Sequence, residues 1–433
     1  MCEKRNDAYY DSLVNGYNEK WIQDQYENLR RQPREQKYML IDMNIKSFRL
    51  FNILYGHKAG DEILKTVYQT VAEYLNEDEW IAHVYADTFL LLMKYDDFKV
   101  FEEQRIEELT DTMYRIKSDA RIYRNIFASF GIYRLDDEDC DFHEAVENAN
   151  LCRVSCDSLH CRSYSYEVFD QSVLKNYRRH CELEIQTAEA YKNYEFISFL
   201  QPKVDAHTHQ IVGAEALVRW YGPDGKLVPV SDFLPILNQN SYIILVDMDV
   251  FDLVCRMLDG RIKANKPVVP ISFNLSKAHF YDPALIKDYT DILDKYEIPR
   301  ELIVFELMET ITLDDTEKMK SVISQLRSEG FSCSLDDFGN GYSSFTVLLN
   351  ADLDSVKMDR QFFLPNLNGD SKLIIKTVVQ LIKSLGMKVI AEGVETREHA
   401  DFLDACGCDQ IQGFYFYKPM PIGDFEALLD ENS

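Results

Sequence analysis

The sequence lacks an excess of positive charge. It has 47 Lys and Arg residues against 73 Asp and Glu residues, which gives a formal net charge of −26 over 433 residues. General nucleic-acid binding depends on clustered Lys and Arg, and so does docking on an anionic membrane surface. The charge balance therefore argues against both, although metal ions or a few placed basic side chains can still bind a phosphate ligand locally.

The chain also lacks an apolar segment that could cross a membrane. The most apolar stretch, YIILVDMDVFDLVC, is interrupted by Asp247, Asp249 and Asp252, and no run approaches the roughly 18 apolar residues that a spanning helix needs. The N-terminal residues MCEKRNDAYYDSLVNGY have no apolar core, so we expect no signal peptide. These absences predict a cytoplasmic protein with no membrane partner.

Matched pairs of cysteine ligands are missing as well. Ten cysteines are scattered along the chain, with Cys152, Cys156 and Cys161 close together near His160. A structural zinc site prefers a C-x₂-C pair that is matched by a second ligand pair. The spacing favours reduced thiols in a cytosolic protein.

The first half of the sequence mixes strand and helix patterns. KYMLIDMNI (37–45) is typical of a strand, GDEILKTVYQTVAEYL (60–75) places its apolar residues on one helical face, and IAHVYADTFLLLMK (81–94) predicts a hairpin. This half is predicted to be an α+β domain with a largely antiparallel sheet, over residues 1–168. A charged segment without Gly or Pro, residues 169–194, is predicted to be a helical connector.

The second half, residues 195–433, repeats a strand and then a helix. Eight such units over about 245 residues are typical of a TIM-like (β/α)₈ barrel, so the chain as a whole is predicted to be α/β. The predicted strands are FISFLQPKV, IVGAEALVRW, VVPISFNLS, LIVFELMET, SCSLDD, DSVKMD, KVIAEGVE and QIQGFYFY.

Polar side chains occur in or at the end of most of these strands. Barrels of this kind place their active sites at the carboxyl ends of the strands, so these side chains are expected to meet there. Carboxylate and amide oxygens suit Mg²⁺ or Mn²⁺, and two such ions can clamp a phosphoryl displacement. The residues are Glu215, Asn274, Glu306, Asp336, Asp337, Lys357, Glu392 and Gln412.

Each of these residues taken alone has an ordinary explanation. The pair Asp336 and Asp337 could be a solvated turn, Asn274 could cap a helix, and Lys357 could be a surface lysine. Glu309, close to Glu306, could be an acid in the first turn of a helix. The joint pattern of one polar group per strand favours a site, in which Lys357 could hold or deprotonate a water and Arg219 could bind a phosphate oxygen.

Residues 180–430 resemble the EAL family, barrel phosphodiesterases of the bacterial second messenger cyclic di-GMP. The resemblance rests on specific motifs: LQPKV, AEALVRW, FNLS, FELMET, LDDFGNGYSS, SVKMD, AEGVE and QGFYFYKPMP. It implies hydrolysis of cyclic di-GMP to linear 5′-pGpG with two Mg²⁺ or Mn²⁺ ions. It also implies a homodimer formed through the loop after Asp337 and the helix that follows it.

The resemblance also implies a role for each matching residue. Glu215, Asn274, Glu306 and Asp336 would bind one metal ion, and Asp336 with Asp337 would bind the second. The catalytic set would be Glu215, Lys357, which positions or activates the attacking water, and Glu392, which orients water. The substrate contacts would be Gln201, Arg219 and Gln412, with Glu309 bracing the loop after Asp337.

Residues 10–165 resemble the GGDEF domain of diguanylate cyclases through DSLVNGYN, SFRLFNILYGHKAGDEIL and HVYADTFLLL. The signature turn Gly-Gly-Asp/Glu-Glu-Phe is replaced by Tyr85-Ala86-Asp87-Thr88-Phe89. The two glycines let the backbone approach GTP, whereas Tyr85 and Ala86 carry side chains there. The domain is therefore predicted to be degenerate, without cyclase activity.

The rest of this first site is mixed. Asn52, Asp61 and Asp87 match retained nucleotide-site positions. Asn44 stands where a metal-binding Asp belongs, while Asp42 shares its strand face and could partly substitute. Asp157 aligns with a phosphate-binding lysine and would repel a triphosphate.

Several alternatives stay open at this point. The first domain could bind GTP as a regulator or could be purely structural. The whole chain could be a non-catalytic cyclic di-GMP- and GTP-binding signalling module. It could also be a bifunctional cyclase and phosphodiesterase, which the altered signature turn argues against.

Overall fold

The structure is a computed structural model, which describes residues 7–31, 36–114, 116, 126–135, 140–157, 164–282, 284–308, 316–339, 348, 351–363 and 369–432. The chain divides into two compact units, Met1–Arg179 and His180–Ser433. The predicted domain limits at residues 168 and 194 stay a prediction. Among the described residues, no helix is both long and apolar enough to cross a membrane.

The first unit is an α+β fold. Its strands are β1 (Tyr10–Asp11), β2 (Gly16–Tyr17), β3 (Lys37–Ile45), β4 (Trp80–Tyr85), β5 (Thr88–Tyr95), β6 (Ala128–Arg134) and β7 (Tyr164–Val168). Its helices are α1 (Glu19–Arg31), α2 (Phe48–Tyr55), α3 (His57–Tyr74), α4 (Phe98–Val100), α5 (Ile106–Tyr114) and α6 (Phe142–Asp157), with a π-helical turn at Phe101–Arg105. Helix α7 (Gln171–Lys192) runs across the boundary between the units.

The central sheet of the first unit has the order β4-β5-β3-β6-β7. All neighbours pair antiparallel except β6 and β7, which confirms the largely antiparallel prediction. Successive residues of a strand point to opposite faces, so β3 serves two cores. Met39 and Ile41 pack into one core, and Leu40 packs into the other.

The hairpin predicted between residues 81 and 94 is present. Tyr85 and Thr88 face each other at its end, so the turn is formed by Ala86 and Asp87. Ala86 has a φ of 48°, a left-handed conformation that favours glycine. The backbone at Ala86 therefore has a conformation that usually requires glycine, although the residue is alanine.

The second unit is an eight-stranded barrel. Its strands are β8 (Phe196–Asp205), β9 (Ile211–Tyr221), β11 (Ile271–Leu275), β12 (Ile303–Met308), β13 (Ser332–Phe338), β14 (Ser355–Met358), β15 (Lys388–Ala391) and β16 (Gln410–Ile411), joined at the rim by the short β10 (Leu227–Val228) and β17 (Met420–Pro421). Its helices are α8 (Val230–Gln239), α9 (Tyr242–Lys263), α10 (Leu285–Leu293), α11 (Thr316–Ser328), α12 (Gly369–Ser384), α13 (Arg397–Cys406) and α14 (Ile422–Glu431).

Two details of the barrel differ from the prediction. Strand β8 runs antiparallel to both of its barrel neighbours, β9 and β16, and a short turn joins it to β9 where a strand–helix unit was expected. The last strand ends at Ile411, and the residues GFYFY that follow form a turn. In that turn the backbone N–H groups of Phe416 and Tyr417 both donate to the carbonyl of Gly413, which is incompatible with a strand.

Alternation along the strands positions the polar side chains. In β12, Ile303, Phe305 and Leu307 are buried in the apolar core that the outer helices share, so Glu306 points the opposite way, into the barrel. The same alternation places Lys357, between the core residues Val356 and Met358, inside the barrel. The interior of the barrel mouth is therefore polar.

Candidate active site

A single ammonium group lies among carboxylates from four different strands or strand ends. The Nζ atom of Lys357 is 3.0 Å from Oδ1 of Asp336 and 3.3 Å from Oε2 of Glu215. It also contacts Oε2 of Glu306 and Oε1 of Glu392. The structure thus brings together five of the predicted site residues.

The charges in this cluster shift one another's protonation. Burial alone lowers the pKa of Lys357, but Asp336, Glu215, Glu306 and Glu392 outweigh it and raise that pKa well above its usual value. Burial also raises the pKa of Asp336 and that of Glu392, against the opposing effect of Lys357. In the absence of other cations, Lys357 is a charged group that stabilises its acidic neighbours.

A second buried lysine lies beside this cluster, and the sequence analysis missed it. Lys203 is 2% exposed, and its Nζ donates to Oε1 of Glu306 at 2.6 Å and to Oγ of Ser272 at 2.7 Å. Burial opposes ionisation of Glu306, but Lys203 and Lys357 together lower its pKa to about 2. Lys203 lies two residues after Gln201 on β8, so the two-residue period of a strand was the signal that could have found it.

The two predicted glutamines reach the same cluster. The Nε2 atom of Gln412 donates to Oε2 of Glu215 at 2.6 Å and to Oε1 of Gln201 at 3.1 Å. Gln201 in turn donates to the carbonyl oxygen of Tyr417 at 3.2 Å. Oε1 of Gln412 is buried and has no hydrogen-bond partner among the described residues, which leaves an acceptor available for a donor from a ligand.

Asn274 and Arg219 occupy different positions relative to the cluster. The amide of Asn274 donates to Oε1 of Glu215 at 2.7 Å, so it lies in the cluster. Arg219 is half-buried, donates to the carbonyl oxygen of Val218 at 2.7 Å and stacks 5.6 Å above the ring of Phe199. Its pKa is lowered by burial. Arg219 lies on β9, the strand that carries Glu215, and its guanidinium contacts Val218 on that strand and Phe199 on β8.

Asp337 has an unusual backbone and protonation. Its φ is 56°, at the irregularity where the pairing of β13 with β14 shifts between Leu335 and Phe338. Burial, followed by the charge of Asp336 and a hydrogen bond with Asp359, raises the pKa of Asp337 to about 7. Asp359 is a second residue that the sequence analysis missed, although it follows Lys357 by two positions.

The oxygen atoms of the cluster are close enough to bind cations. One oxygen each from Glu215, Glu306 and Glu392 lie within 4.8 Å of one another, and so do one each from Asp336, Asp337 and Glu392. These are hard oxygen donors of the type that Mg²⁺ and Mn²⁺ prefer. The donor set therefore fits the two predicted metal ions, with Glu392 within reach of both groups.

A cavity of about 360 Å³ opens onto the cluster. It is lined by Gln201, Glu215, Leu217, Asp337, Asp359, Arg360, Glu392, Gly393, Glu395, Gln412, Gly413 and Phe414. Phe414 is 56% exposed at this wall, so its ring is accessible to a planar ligand. Glu309, predicted to brace the loop after Asp337, lies outside the described residues, as do residues 340–347 of that loop.

The first unit has a separate cavity of about 450 Å³ at the corresponding predicted site. Its lining includes Asn52 and Asp87, two of the three retained positions, and also Ala86 of the hairpin turn. Asp61, on α3, is not among the described residues that line it. The structure therefore brings two of the three residues together.

Asp42 is placed away from this first cavity. Its Oδ2 accepts from Nε of Arg153 at 3.0 Å and from Nδ2 of Asn150 at 2.9 Å, both on α6. Asn44 instead donates to Thr88 Oγ1 at 3.3 Å. Asp42 is not among the described residues that line the cavity, and its carboxylate pairs with Arg153, so the suggestion that it substitutes for a metal-binding aspartate stays a prediction. The side chain of Asp157 lies outside the described residues.

Two family models match the chain. The one described as "EAL domain" matches residues 184–419, and the one described as "Diguanylate cyclase, GGDEF domain" matches residues 8–153. The first match covers more than half of the chain and includes the whole candidate site. The second covers the cavity of the first unit.

Characterised relatives share both regions. The bifunctional diguanylate cyclase/cyclic di-GMP phosphodiesterase MucR of Pseudomonas aeruginosa is 26% identical over 420 residues, which cover 96% of this chain and 60% of MucR. The cyclic di-GMP phosphodiesterase NbdA of the same organism is 26% identical over 439 residues, which cover 98% of this chain and 54% of NbdA. This chain thus spans a little over half the length of these relatives.

A solved structure resembles the second unit. It is described as the PaMucR phosphodiesterase in a c-di-GMP complex, is 29% identical and has a TM-score of 0.54, and the match covers 56% of this chain and 99% of that chain. The fold, the motifs and these matches agree with one another. The chain belongs to the EAL domain family and carries a GGDEF domain in tandem before its EAL domain.

Proposed function

We propose that this protein hydrolyses cyclic di-GMP to linear 5′-pGpG. The observation that carries the proposal is the convergence of Glu215, Glu306, Asp336 and Glu392 on one buried point, the ammonium of Lys357. Four carboxylates outnumber the two ammonium groups, Lys357 and Lys203, that lie among them, so the cluster is best explained as a site that also binds metal cations. Relatives named as cyclic di-GMP phosphodiesterases and a related structure described with c-di-GMP support the choice of substrate.

The proposed metal sites differ in one respect from the two groups of oxygens, which share Glu392, because the family resemblance makes Asp336 the shared ligand. Glu215, Asn274, Glu306 and Asp336 would hold one Mg²⁺ or Mn²⁺ ion, and Asp336 with Asp337 would hold the second. Bound ions of this kind supply hydroxide near neutral pH and stabilise the charge that develops on the phosphate. Asp337 binds metal as the carboxylate, so its pKa of about 7 makes metal binding compete with protons near neutral pH.

The remaining residues would position the reactants. Lys357 already contacts Asp336 and Glu392, so its ammonium can hold the attacking water and stabilise phosphate charge. Gln201, Gln412 and Arg219 would contact the substrate, and Glu392 would orient water.

The first test is turnover. The protein incubated with cyclic di-GMP and Mn²⁺ or Mg²⁺ is expected to yield 5′-pGpG, measured by chromatography, and chelation of the metal should stop the reaction. Glu215→Ala removes a proposed metal ligand and should lower the rate by at least about 100-fold. Circular dichroism spectra should show that the variant is folded.

The alternative of a binding module predicts a different result. Tight cyclic di-GMP binding in Mg²⁺ by calorimetry, with no product at any divalent concentration, would refute hydrolysis. Receptors without chemistry usually lack several metal-binding carboxylates, and here Glu215, Glu306, Asp336 and Asp337 are all present. This favours the enzyme.

We also infer that the GGDEF domain does not synthesise cyclic di-GMP. Ala86 takes the turn conformation that a glycine favours, and it lines the cavity at a position where the family has a glycine. Asn52 and Asp87 at the same cavity keep regulatory GTP binding as a proposal. The proposed homodimer stays a prediction, since the loop expected to carry it lies almost wholly outside the described residues.

A further inference from the structure

We propose that Lys203 is a positioning residue that makes Glu306 present a single carboxylate oxygen to a divalent cation, an inference that rests on the proposed metal site. Glu306 is fully buried, and each of its oxygens contacts a different lysine. Oε1 contacts Lys203 at 2.6 Å, and Oε2 contacts Lys357. The two lysines differ in what else they touch.

Lys357 shares its ammonium among four carboxylates. A cation bound among those oxygens would take over contacts that Lys357 now makes, so this side chain has to yield some of them. The contact with Oε2 of Glu306 is therefore exchangeable. Oε2 of Glu306 can then bind the cation in place of the ammonium.

Lys203 is in the opposite situation. Among the described residues, its ammonium contacts one carboxylate, that of Glu306, and its other partner is the hydroxyl of Ser272 at 2.7 Å. Both partners lie on neighbouring strands, β11 and β12, and Lys203 itself is on β8. In the part of the chain that the structure describes, no candidate metal-binding oxygen other than those of Glu306 competes for it, so we expect its contact with Oε1 to persist when a cation binds.

The consequence is a fixed coordination mode. With Oε1 held by Lys203, Glu306 can offer Oε2 alone, and its carboxylate is oriented by one charge-assisted hydrogen bond from an ammonium that Ser272 holds in place. Partners of this kind orient metal ligands, and their removal typically weakens metal binding or activity about 10- to 100-fold. If Lys203 acted only as a nearby positive charge, its removal would instead strengthen cation binding.

These two roles predict opposite changes in the Kd for Mn²⁺ when the charge of Lys203 is removed. The full chain is titrated with Mn²⁺ by calorimetry, and the electron paramagnetic resonance spectrum of the bound Mn²⁺ is recorded. Lys203→Met keeps the length of the side chain and removes its charge, and we expect its Kd for Mn²⁺ to rise at least about tenfold, with an altered spectrum. Lys226→Met is the matched control, because that lysine is 83% exposed on the same unit, and it should match the wild type.

A double-mutant cycle tests whether Lys203 acts through Glu306. In the Glu306→Gln background, Lys203→Met should add little further weakening of Mn²⁺ binding, because the carboxylate that it orients is gone. If Lys203→Met does not fold, Ser272→Ala decides the question. It removes one partner of the ammonium and should raise the Kd about threefold.

The outcomes separate this inference from the proposed function. A wild-type protein that binds no Mn²⁺ refutes the proposed metal site and this inference with it. A wild type that binds Mn²⁺, combined with a folded Lys203→Met that binds it equally well or more tightly, overturns the inference alone. If Lys203→Met is unfolded, a Ser272→Ala variant with the Mn²⁺ affinity and the spectrum of the wild type would also overturn the inference.

Discussion

The most informative single residue of the site is Lys357. Its raised pKa and its contacts with four carboxylates show how a buried cation satisfies a cluster that would otherwise repel itself. An ammonium and a divalent ion compete for the same oxygens, so a metal ion that binds there would have to replace some of the contacts that Lys357 makes. Asp336, whose pKa burial raises, is the proposed ligand that would gain most from that replacement, and burial also raises the pKa of Glu392, which is proposed to orient water.

His279 provides a pH-dependent test at the residue scale. Burial lowers its pKa to about 4, below the usual 6.5, so the unfolded chain binds a proton more readily than the folded one. The stability that it contributes is complete above pH 6.5 and is lost as the pH falls towards 4. We expect this loss to be about 3 kcal/mol.

The measurement is urea unfolding of the wild type and of His279→Gln at pH 7 and pH 4. The variant should lose less free energy of unfolding over this interval than the wild type, because its glutamine does not titrate. His207→Gln, at a histidine that is 84% exposed, should behave as the wild type does. Equal pH dependence in all three proteins would contradict the assignment.

At the scale of secondary-structure elements, the position of polar residues in or at the ends of the barrel strands was the most reliable guide. The structure brings Glu306, Asp336 and Lys357 together as that pattern predicts, and β3 has the predicted bounds Lys37–Ile45. Lys203 was missed because a lysine inside an apolar strand gives no local sign of its partner. That partner, Glu306, is 103 residues away in sequence.

Other differences have comparable physical causes. The residues QIQGFYFY have strand composition, but Gly413 accepts turn hydrogen bonds that end the strand at Ile411. The direction of β8 could not be predicted, because a short turn and a helical crossover both follow a strand of the same composition. Asp42 shares a strand face with Asn44, so the sequence could not show which partner its carboxylate binds. In the structure that partner is Arg153 on α6.

The last helix of the barrel unit supplies a test of element packing. Arg261, 2% exposed on α9, donates to Asp430 Oδ1 at 2.7 Å, to the carbonyl of Glu426 at 3.2 Å and to that of Pro267 at 2.9 Å. Arg261→Ala removes these contacts between α9 and α14 and leaves a void, so we expect a loss of about 3 kcal/mol in the free energy of unfolding.

The matched control lies on the same helix. Arg256 is 66% exposed and pairs with Asp252 at 2.8 Å, and exposed pairs of this kind contribute little. Arg256→Ala should therefore shift the midpoint of chemical denaturation much less than Arg261→Ala. Similar shifts for the two variants would show that burial of Arg261 does not stabilise α14.

At the scale of the whole molecule, each of the two units carries its own candidate site. The barrel unit has all the carboxylates predicted for metal binding, whereas the first unit brings together two of its three retained nucleotide-site residues. All described members of the barrel cluster lie between residues 201 and 412, within His180–Ser433. The first unit has its own two cores and its own cavity. The sequence therefore predicted the identity of both folds well, whereas the directions of individual carboxylates required coordinates.

At this scale, the prediction concerns the synthesis of cyclic di-GMP by the first unit and its proposed hydrolysis by the second. Supplied with GTP and Mg²⁺, the protein is expected to make no cyclic di-GMP, because Tyr85 and Ala86 replace the glycines of the turn. Detection has to use Glu215→Ala, so that any product formed is not hydrolysed. Cyclic di-GMP accumulation in that variant would show that the first unit is an active cyclase.

The reversed direction of β8 also affects how the barrel assembles. Its pairing with β9 joins residues that are close in sequence, so this hairpin can form early and without a long loop closure. The opposite edge of β8 meets β16 and the short β17 through two residue pairs each, across some two hundred residues of intervening chain. The pairs are Gln410 with Asp205, Ile411 with Val204, Met420 with Leu200 and Pro421 with Phe199. We therefore expect this narrow seam to close last and to open first. Because Gln412 follows it directly, transient opening there would release the glutamine end of the site while the carboxylates on the central strands stay in place.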